Sequence, residues 1–198
     1  MFEIRYDNKK IKRLERELAG FPRSSLPKVM SRGLNRTASE ARTKVGRMIS
    51  QETGLKVKTV RDRVSLVRAS YTSWRSIVKI SRRRIPLYNF SARQTGKGVT
   101  YKKGGTRVLI RHAFEATMKS GHTGVFHRAR HMLNIGHFVP MVSKKSKEAI
   151  YELKGPSLGQ VFVSAQDRAD AIYRESMQRL ERNIHDQVNL ILKARLPA

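Results

Sequence analysis

The spacing of hydrophobic residues predicts one long amphipathic helix in the N-terminal third of the chain. From Leu34 to Met48, apolar residues recur at intervals of four, three, four and three, which places them on one side of an α-helix. Pro27 suits the first turn of this helix and Gly54 follows its end, so we predict a helix over residues 24–53. Its predicted buried stripe consists of Leu34, Ala38, Ala41, Val45 and Met48.

The hydrophobic period then changes to two, which is typical of strands. Residues 64–111 show this alternation and include the β-branched run Ile77–Ile80, while Lys102–Gly105 has the glycines of a hairpin connection. We therefore predict an antiparallel sheet over this part of the chain, interrupted by one long loop from Arg82 to Gln94. Residues 112–157 are expected to form a basic loop region.

Each end of the chain adds a helix. The segment 1–22 begins with an alternating strand and continues as a helix with a narrow apolar face. The segment 165–195 is a longer amphipathic helix of about 45 Å, so its apolar stripe either contacts another chain in part or packs wholly on its own sheet. These elements predict a single α+β domain over residues 1–198, with N-terminal helices packed on a central antiparallel sheet and a long C-terminal helix.

Positive charge is the strongest compositional signal. The 198 residues include 42 Lys and Arg against 15 Asp and Glu, a formal net charge of +27. Self-repulsion of this size opposes compaction unless an anion offsets it. From Arg63 to Lys147 there are 19 basic residues and one acid, Glu115, so ion pairing within the segment cannot neutralise it.

This imbalance predicts an anionic partner, either nucleic acid or an acidic protein face. Strand ends, hairpin tips and the basic insert are the places where such side chains project into solvent. The residues that we expect to face the partner are Arg82, Arg83, Arg84, Arg93, Lys102, Lys103, Arg107, Arg111, Arg128, Arg130, Lys144 and Lys145.

The composition also excludes several classes of protein. The chain has no cysteine, which rules out disulfides, thiol catalysis and cysteine-ligated zinc. Its N-terminus is charged from Glu3 onward, unlike a signal peptide, and no apolar run approaches the roughly 20 residues of a membrane span. We expect a protein that is made in a cytoplasm and does not enter a membrane.

Four histidines within sixteen residues raise the possibility of a metal site. No carboxylate or thiolate lies near them, and Arg128 and Arg130 among them would repel a divalent cation. We therefore expect no metal and treat the histidines as an extension of the basic surface. They are His122, His127, His131 and His137.

No catalytic signature is present. The chain has no Gly-x-Ser-x-Gly elbow, its acids are too scarce for a paired-carboxylate site, and its glycine pairs match neither the phosphate loop nor the dinucleotide fingerprint. We predict a non-enzymatic protein without a cofactor.

Five short motifs occur in order along the chain, namely Leu34–Ala38, Ile85–Arg93, Ala113–Met118, Ser120–Arg128 and Glu152–Ser157. In their order and spacing they resemble the prophage minor tail protein Z family of lambda-like tailed phages. The resemblance runs from about Leu34 into the C-terminal helix, and the long basic insert between Arg128 and Glu152 departs from it.

The resemblance implies a structural protein of the virion tail or neck, which acts in tail completion at the head–tail junction and is present in the host cytoplasm during assembly. Such proteins are related to α+β neck proteins that form rings around the DNA channel. The implied partners are further copies in a ring, with a hexamer expected, other tail proteins such as the tail terminator, tail tube or tape measure, and genomic DNA without sequence preference.

A monomeric, sequence-nonspecific nucleic-acid-binding protein is the alternative. It would stack bases on aromatic side chains interleaved with arginine. The candidates for such stacking are Tyr71, Trp74, Tyr88, Phe90 and Tyr101.

Overall fold

The computed structural model describes residues 2–5, 25–128 and 150–193, which fall into two compact units. Unit 1 is drawn from Met1–Met48, Arg61–Ser81 and Phe162–Ala198, and unit 2 from Ile49–Val60 and Arg82–Val161. The predicted helix within residues 6–22 lies outside the described residues.

Two long helices form most of unit 1, and both follow the predicted periodicity. Helix α1 spans Leu26–Thr53, and all five residues of its predicted stripe are at most 5% exposed. The C-terminal helix packs closely on α1, since a Cβ atom added to Gly33 would lie 2.8 Å from the Ile184 side chain. Within the buried contact, the Asn183 side chain donates a hydrogen bond to the Thr37 hydroxyl over 2.9 Å.

The other helices of the described ranges are two short helices and the C-terminal helix. They are α2 (Val57–Arg61), α3 (Leu158–Ser164) and α4 (Gln166–Lys193). The predicted long C-terminal helix is therefore confirmed, as is the α+β class.

A three-stranded antiparallel sheet accompanies these helices in unit 1. Its strands are β1 (Phe2–Arg5), β2 (Val64–Val67) and β3 (Arg75–Ile80), in the order β1–β3–β2. Asn35 of α1 binds the connection between β2 and β3. Its side-chain amide accepts a hydrogen bond from the Ala69 N–H over 2.7 Å and donates one to the Ala69 carbonyl over 3.0 Å. The amide side chain thus supplies the backbone bonds that a neighbouring strand would have made.

The described residues of unit 2 form three small antiparallel sheets. They have the orders β5–β6–β7, β8–β9–β10 and β4–β11, and a 3₁₀ turn over Leu87–Phe90 follows β4. The strands are β4 (Arg84–Pro86), β5 (Arg93–Thr95), β6 (Gly98–Lys103), β7 (Thr106–Arg111), β8 (Phe114–Thr117), β9 (Thr123–Arg128), β10 (Ile150–Glu152) and β11 (Lys154–Ser157).

This arrangement corrects two details of the sequence prediction. Residues 64–111 contribute to three separate sheets, and the predicted loop from Arg82 to Gln94 contains β4 and the 3₁₀ turn. The described part of 112–157 forms β8–β11 instead of a loop region. Three of these strands are only three or four residues long, too short to show an alternating pattern. The longer β9 shows none because it is buried at four successive positions.

Four of the five motifs pack together in the core of unit 2. The Leu87 N–H donates to the Leu153 carbonyl over 2.9 Å, and the Leu153 N–H donates to the Val125 carbonyl over 2.8 Å. Phe90 is 2% exposed, and a Cβ atom on Gly155 would lie 2.6 Å from its ring. These motifs therefore build the scaffold of unit 2.

Unit 1 carries a small network of ion pairs between α1 and α4. Lys44 forms an ion pair with Glu175, and Arg179 forms one with Glu40 over 3.2 Å. Arg179 also lies 3.5 Å from Glu175. The hydrogen bond and charge of Lys44, with a smaller effect from Arg179, lower the pKa of Glu175.

We predict that Glu175→Gln lowers the free energy of unfolding slightly at neutral pH and has no effect at acid pH. Because the folded state lowers the pKa below the ordinary value of 4.5, the carboxylate stabilises the fold above that value. The contribution is lost as the pH falls through the folded pKa. Urea unfolding at pH 7 and near pH 3 measures the difference, with exposed Asp186→Asn as the control for loss of one negative charge from α4.

If Glu175→Gln lowered the free energy of unfolding by the same amount at both pH values, the stabilising role of the Glu175 carboxylate would be contradicted.

Candidate anion-binding surface

The β5–β6–β7 sheet brings four of the predicted basic residues onto one face. Lys102 lies directly opposite Arg107, and Arg93 opposite Thr100, which pairs in turn with Leu109. Directly paired residues share a face, and side chains alternate between faces along a strand. We define the basic face as the side of this sheet that carries Arg93, Thr95, Thr100, Lys102, Arg107, Leu109 and Arg111.

All four cations of the basic face are exposed, and one is held in place by a neutral partner. The Arg107 guanidinium donates to the Thr100 hydroxyl over 3.2 Å, and this hydroxyl donates to the Arg93 carbonyl over 3.4 Å. Residues 93–111 contain no Asp or Glu. Within the described ranges none of the four cations forms an ion pair, so their charge is available to an external anion.

Part of the opposite face of the same sheet packs inside unit 2. Val99 is fully buried, and the half-buried Tyr101 ring meets the Phe90 ring edge-on with centroids 6.5 Å apart. Lys103 belongs to this second face, because it follows Lys102 along the strand. The structure therefore places on opposite faces two lysines that were both predicted to face the anionic partner.

Gly98 allows the two strands of the basic face to pair. Its φ is +147°, and a Cβ atom there would lie 2.1 Å from the Ile110 carbonyl oxygen. No side chain fits at that distance, so β6 and β7 could not pair around the Gly98–Arg111 position with any other residue. At the end of β7, buried His127 places its Nε2 atom 3.1 Å from the Arg111 carbonyl oxygen and links this strand to β9.

The other predicted cations lie elsewhere. Arg82 and Arg83 are exposed residues before β4, and Arg84 is the first residue of that strand. Arg128 is half-buried, with its guanidinium carbon 5.6 Å from the centroid of the Phe114 ring, so part of its charge is used in a cation–π contact. The remaining three, Arg130, Lys144 and Lys145, lie outside the described residues.

The two described histidines of the cluster have internal partners. The His122 Nε2 atom lies 2.7 Å from a Glu152 carboxylate oxygen, and His127 is 1% exposed between backbone carbonyl groups. In the part of the chain that the structure describes, no three His, Cys, Asp or Glu residues are grouped so that they could hold a metal ion. No described helix is long and apolar enough to cross a membrane.

Thr100, Gly98 and Leu109 contribute to the surface but were not singled out from the sequence. The register of β6 and β7 could have identified them, because it assigns each residue of the hairpin to one face of the sheet. Strict alternation from the Lys103–Gly104–Gly105–Thr106 turn would have grouped Lys102 with Arg107 and excluded Lys103.

Comparison with known families supports the resemblance noted in the sequence. The family model described as prophage minor tail protein Z matches residues 9–194, nearly the whole chain. The chain belongs to this family. Comparisons with curated proteins and with solved structures gave no match. Membership gives the chain a structural role in a phage tail and associates it with the virion.

We predict that Gly98→Ala destabilises the tail protein by more than about 1 kcal/mol, because the new Cβ atom must push β7 away from β6. Gly96→Ala is the matched control, since a Cβ atom there meets nothing within 4 Å. Thermal unfolding of both variants measures the difference. Equal melting temperatures for the two variants would show that the close approach at Gly98 is not required.

Proposed function

We propose that this chain is a non-enzymatic component that completes the phage tail at the head–tail junction. In this proposal it assembles with further copies as a ring, and its basic surface faces an anionic partner. The observation that carries the proposal is the acid-free basic face in a member of a minor tail protein family.

Assembly as a ring would explain why each subunit exposes four cations that are not paired with acidic residues. Cyclic symmetry repeats the same face around an axis, so a modest number of contacts in one subunit becomes many contacts in the assembly. Each contact is weak and screened by salt, which allows a polyanion to move past the surface. The same cations spread on a monomer would bind a polyanion only weakly.

The alternative of a monomeric nucleic-acid-binding protein has less support, because the aromatic candidates among the described residues do not form a stacking platform. Phe90 is buried and Tyr101 packs against it, while the half-buried Trp74 donates its indole N–H to the Tyr71 carbonyl. Tyr71 and Tyr88 are exposed but belong to different units.

Deletion of the gene from its prophage tests the proposal. We expect induction to yield heads and tails that fail to join, or tails that lack their head-proximal end, with a loss of infectious particles of several orders of magnitude. The wild-type gene supplied in trans should restore infectivity. Electron micrographs of the lysate and native mass spectra of the purified chain provide the two measurements.

Normal infectious particles from the deletion strain would overturn the proposal. A chain that stays monomeric at high concentration in the presence of the other tail proteins would overturn the ring.

A further inference from the structure

We infer that the basic face of the β5–β6–β7 sheet is a binding site for the sugar-phosphate backbone of DNA. The inference rests on the proposed function and deepens it, because it identifies the anion that this surface meets. The face offers Arg93, Lys102, Arg107 and Arg111 as phosphate partners.

The composition of the face favours DNA over an acidic protein. Its remaining side chains are the hydroxyls of Thr95 and Thr100 and one apolar residue, Leu109, which is 39% exposed. Protein–protein interfaces have an apolar or aromatic centre and are depleted in lysine. Interfaces with DNA are polar and strongly positive, and arginine, lysine and threonine are ordinary donors to phosphate oxygens. The aromatic ring of this sheet, Tyr101, lies on the opposite face.

The length of the face suits several successive phosphates. Arg107 and Arg111 are four residues apart on β7, which corresponds to about 14 Å at the rise of a strand. One DNA strand covers the same axial distance in about four nucleotides. Arg93 on β5 and Lys102 on β6 widen the positive area across the sheet, so up to four phosphates can be neutralised at once.

The face offers little for reading base sequence. Asn and Gln side chains that recognise adenine are missing from it, and its arginines and lysine, which can also contact guanine, are ordinary partners of phosphate. Gln94 is on the other face, where its amide donates to the Thr95 and Gly98 carbonyls and accepts from the Glu115 N–H. Binding through the basic face should therefore be independent of sequence, as DNA in transit through a tail requires.

Salt-dependent binding of the full-length chain to a 30-base-pair duplex tests the inference. Each phosphate contact contributes about −0.9 to the slope of log K against log salt concentration, so Lys102→Gln with Arg107→Gln should reduce the steepness by about 1.8. Lys97→Gln, in the β5–β6 turn, with Lys103→Gln, on the opposite face of β6, removes the same charge without changing the residues of the basic face. This control should retain the wild-type slope. Two duplexes of unrelated sequence should give the same result.

Equal slopes for the two double variants would overturn the inference, because binding would then depend only on net charge. The same variants, tested for restoration of infectivity in the deletion strain, separate this failure from that of the proposed function. An unchanged slope for Lys102→Gln with Arg107→Gln, together with lost infectivity, would assign the face to an acidic protein and leave the tail role intact. Circular dichroism melting confirms that each variant is folded.

Discussion

Electrostatic repulsion constrains every part of this chain, because 42 basic residues are opposed by only 15 acidic ones. Unit 1 reduces the repulsion locally, since Glu40 and Glu175 sit among basic residues of α1 and α4. The described part of unit 2 has fourteen basic residues and three acids, so ion pairs within it cannot neutralise its charge. All of these basic residues except Arg128 are exposed, and an external anion lowers the free energy of such a surface.

The residues that identify the family and the residues that carry the charge are largely separate. Four motifs meet in the core of unit 2. There the buried Phe90 ring packs against Gly155, and the Leu153 backbone forms hydrogen bonds to two other motifs. Most of the basic face lies on the β6–β7 hairpin, outside those motifs. The scaffold therefore holds a charged sheet whose opposite face is partly packed. Its strands β6 and β7 can pair at the Gly98–Arg111 position because Gly98 lacks a side chain.

The two long helices could be predicted from the sequence because each, at 28 residues, shows the 3.6-residue period several times. The stripe of α1 and the extent of α4 were correct for that reason. The sheets were predicted less well, since strands of three or four residues show no period and β9 is buried on both faces. Pairing across long sequence separations, as between β4 and β11, leaves no local signal.

The sequence predicted that an exposed basic surface exists, but it could not predict which residues share one face. A charge count found the acid-free region but could not assign Lys102 and Lys103 to opposite faces. It also could not show that Arg128 lies over the Phe114 ring or that Thr100 orients Arg107. These contacts depend on strand register and on partners far along the chain.

Photo-crosslinking inside assembled particles tests the central claim most directly. Leu109 on the basic face and Val108 on the opposite face are neighbours with nearly equal exposure, 39% and 37%. A photoreactive amino acid at position 109 of DNA-filled particles should form a crosslink to DNA, whereas one at position 108 should not. DNA crosslinks of equal yield from both positions, or from position 108 alone, would contradict the account.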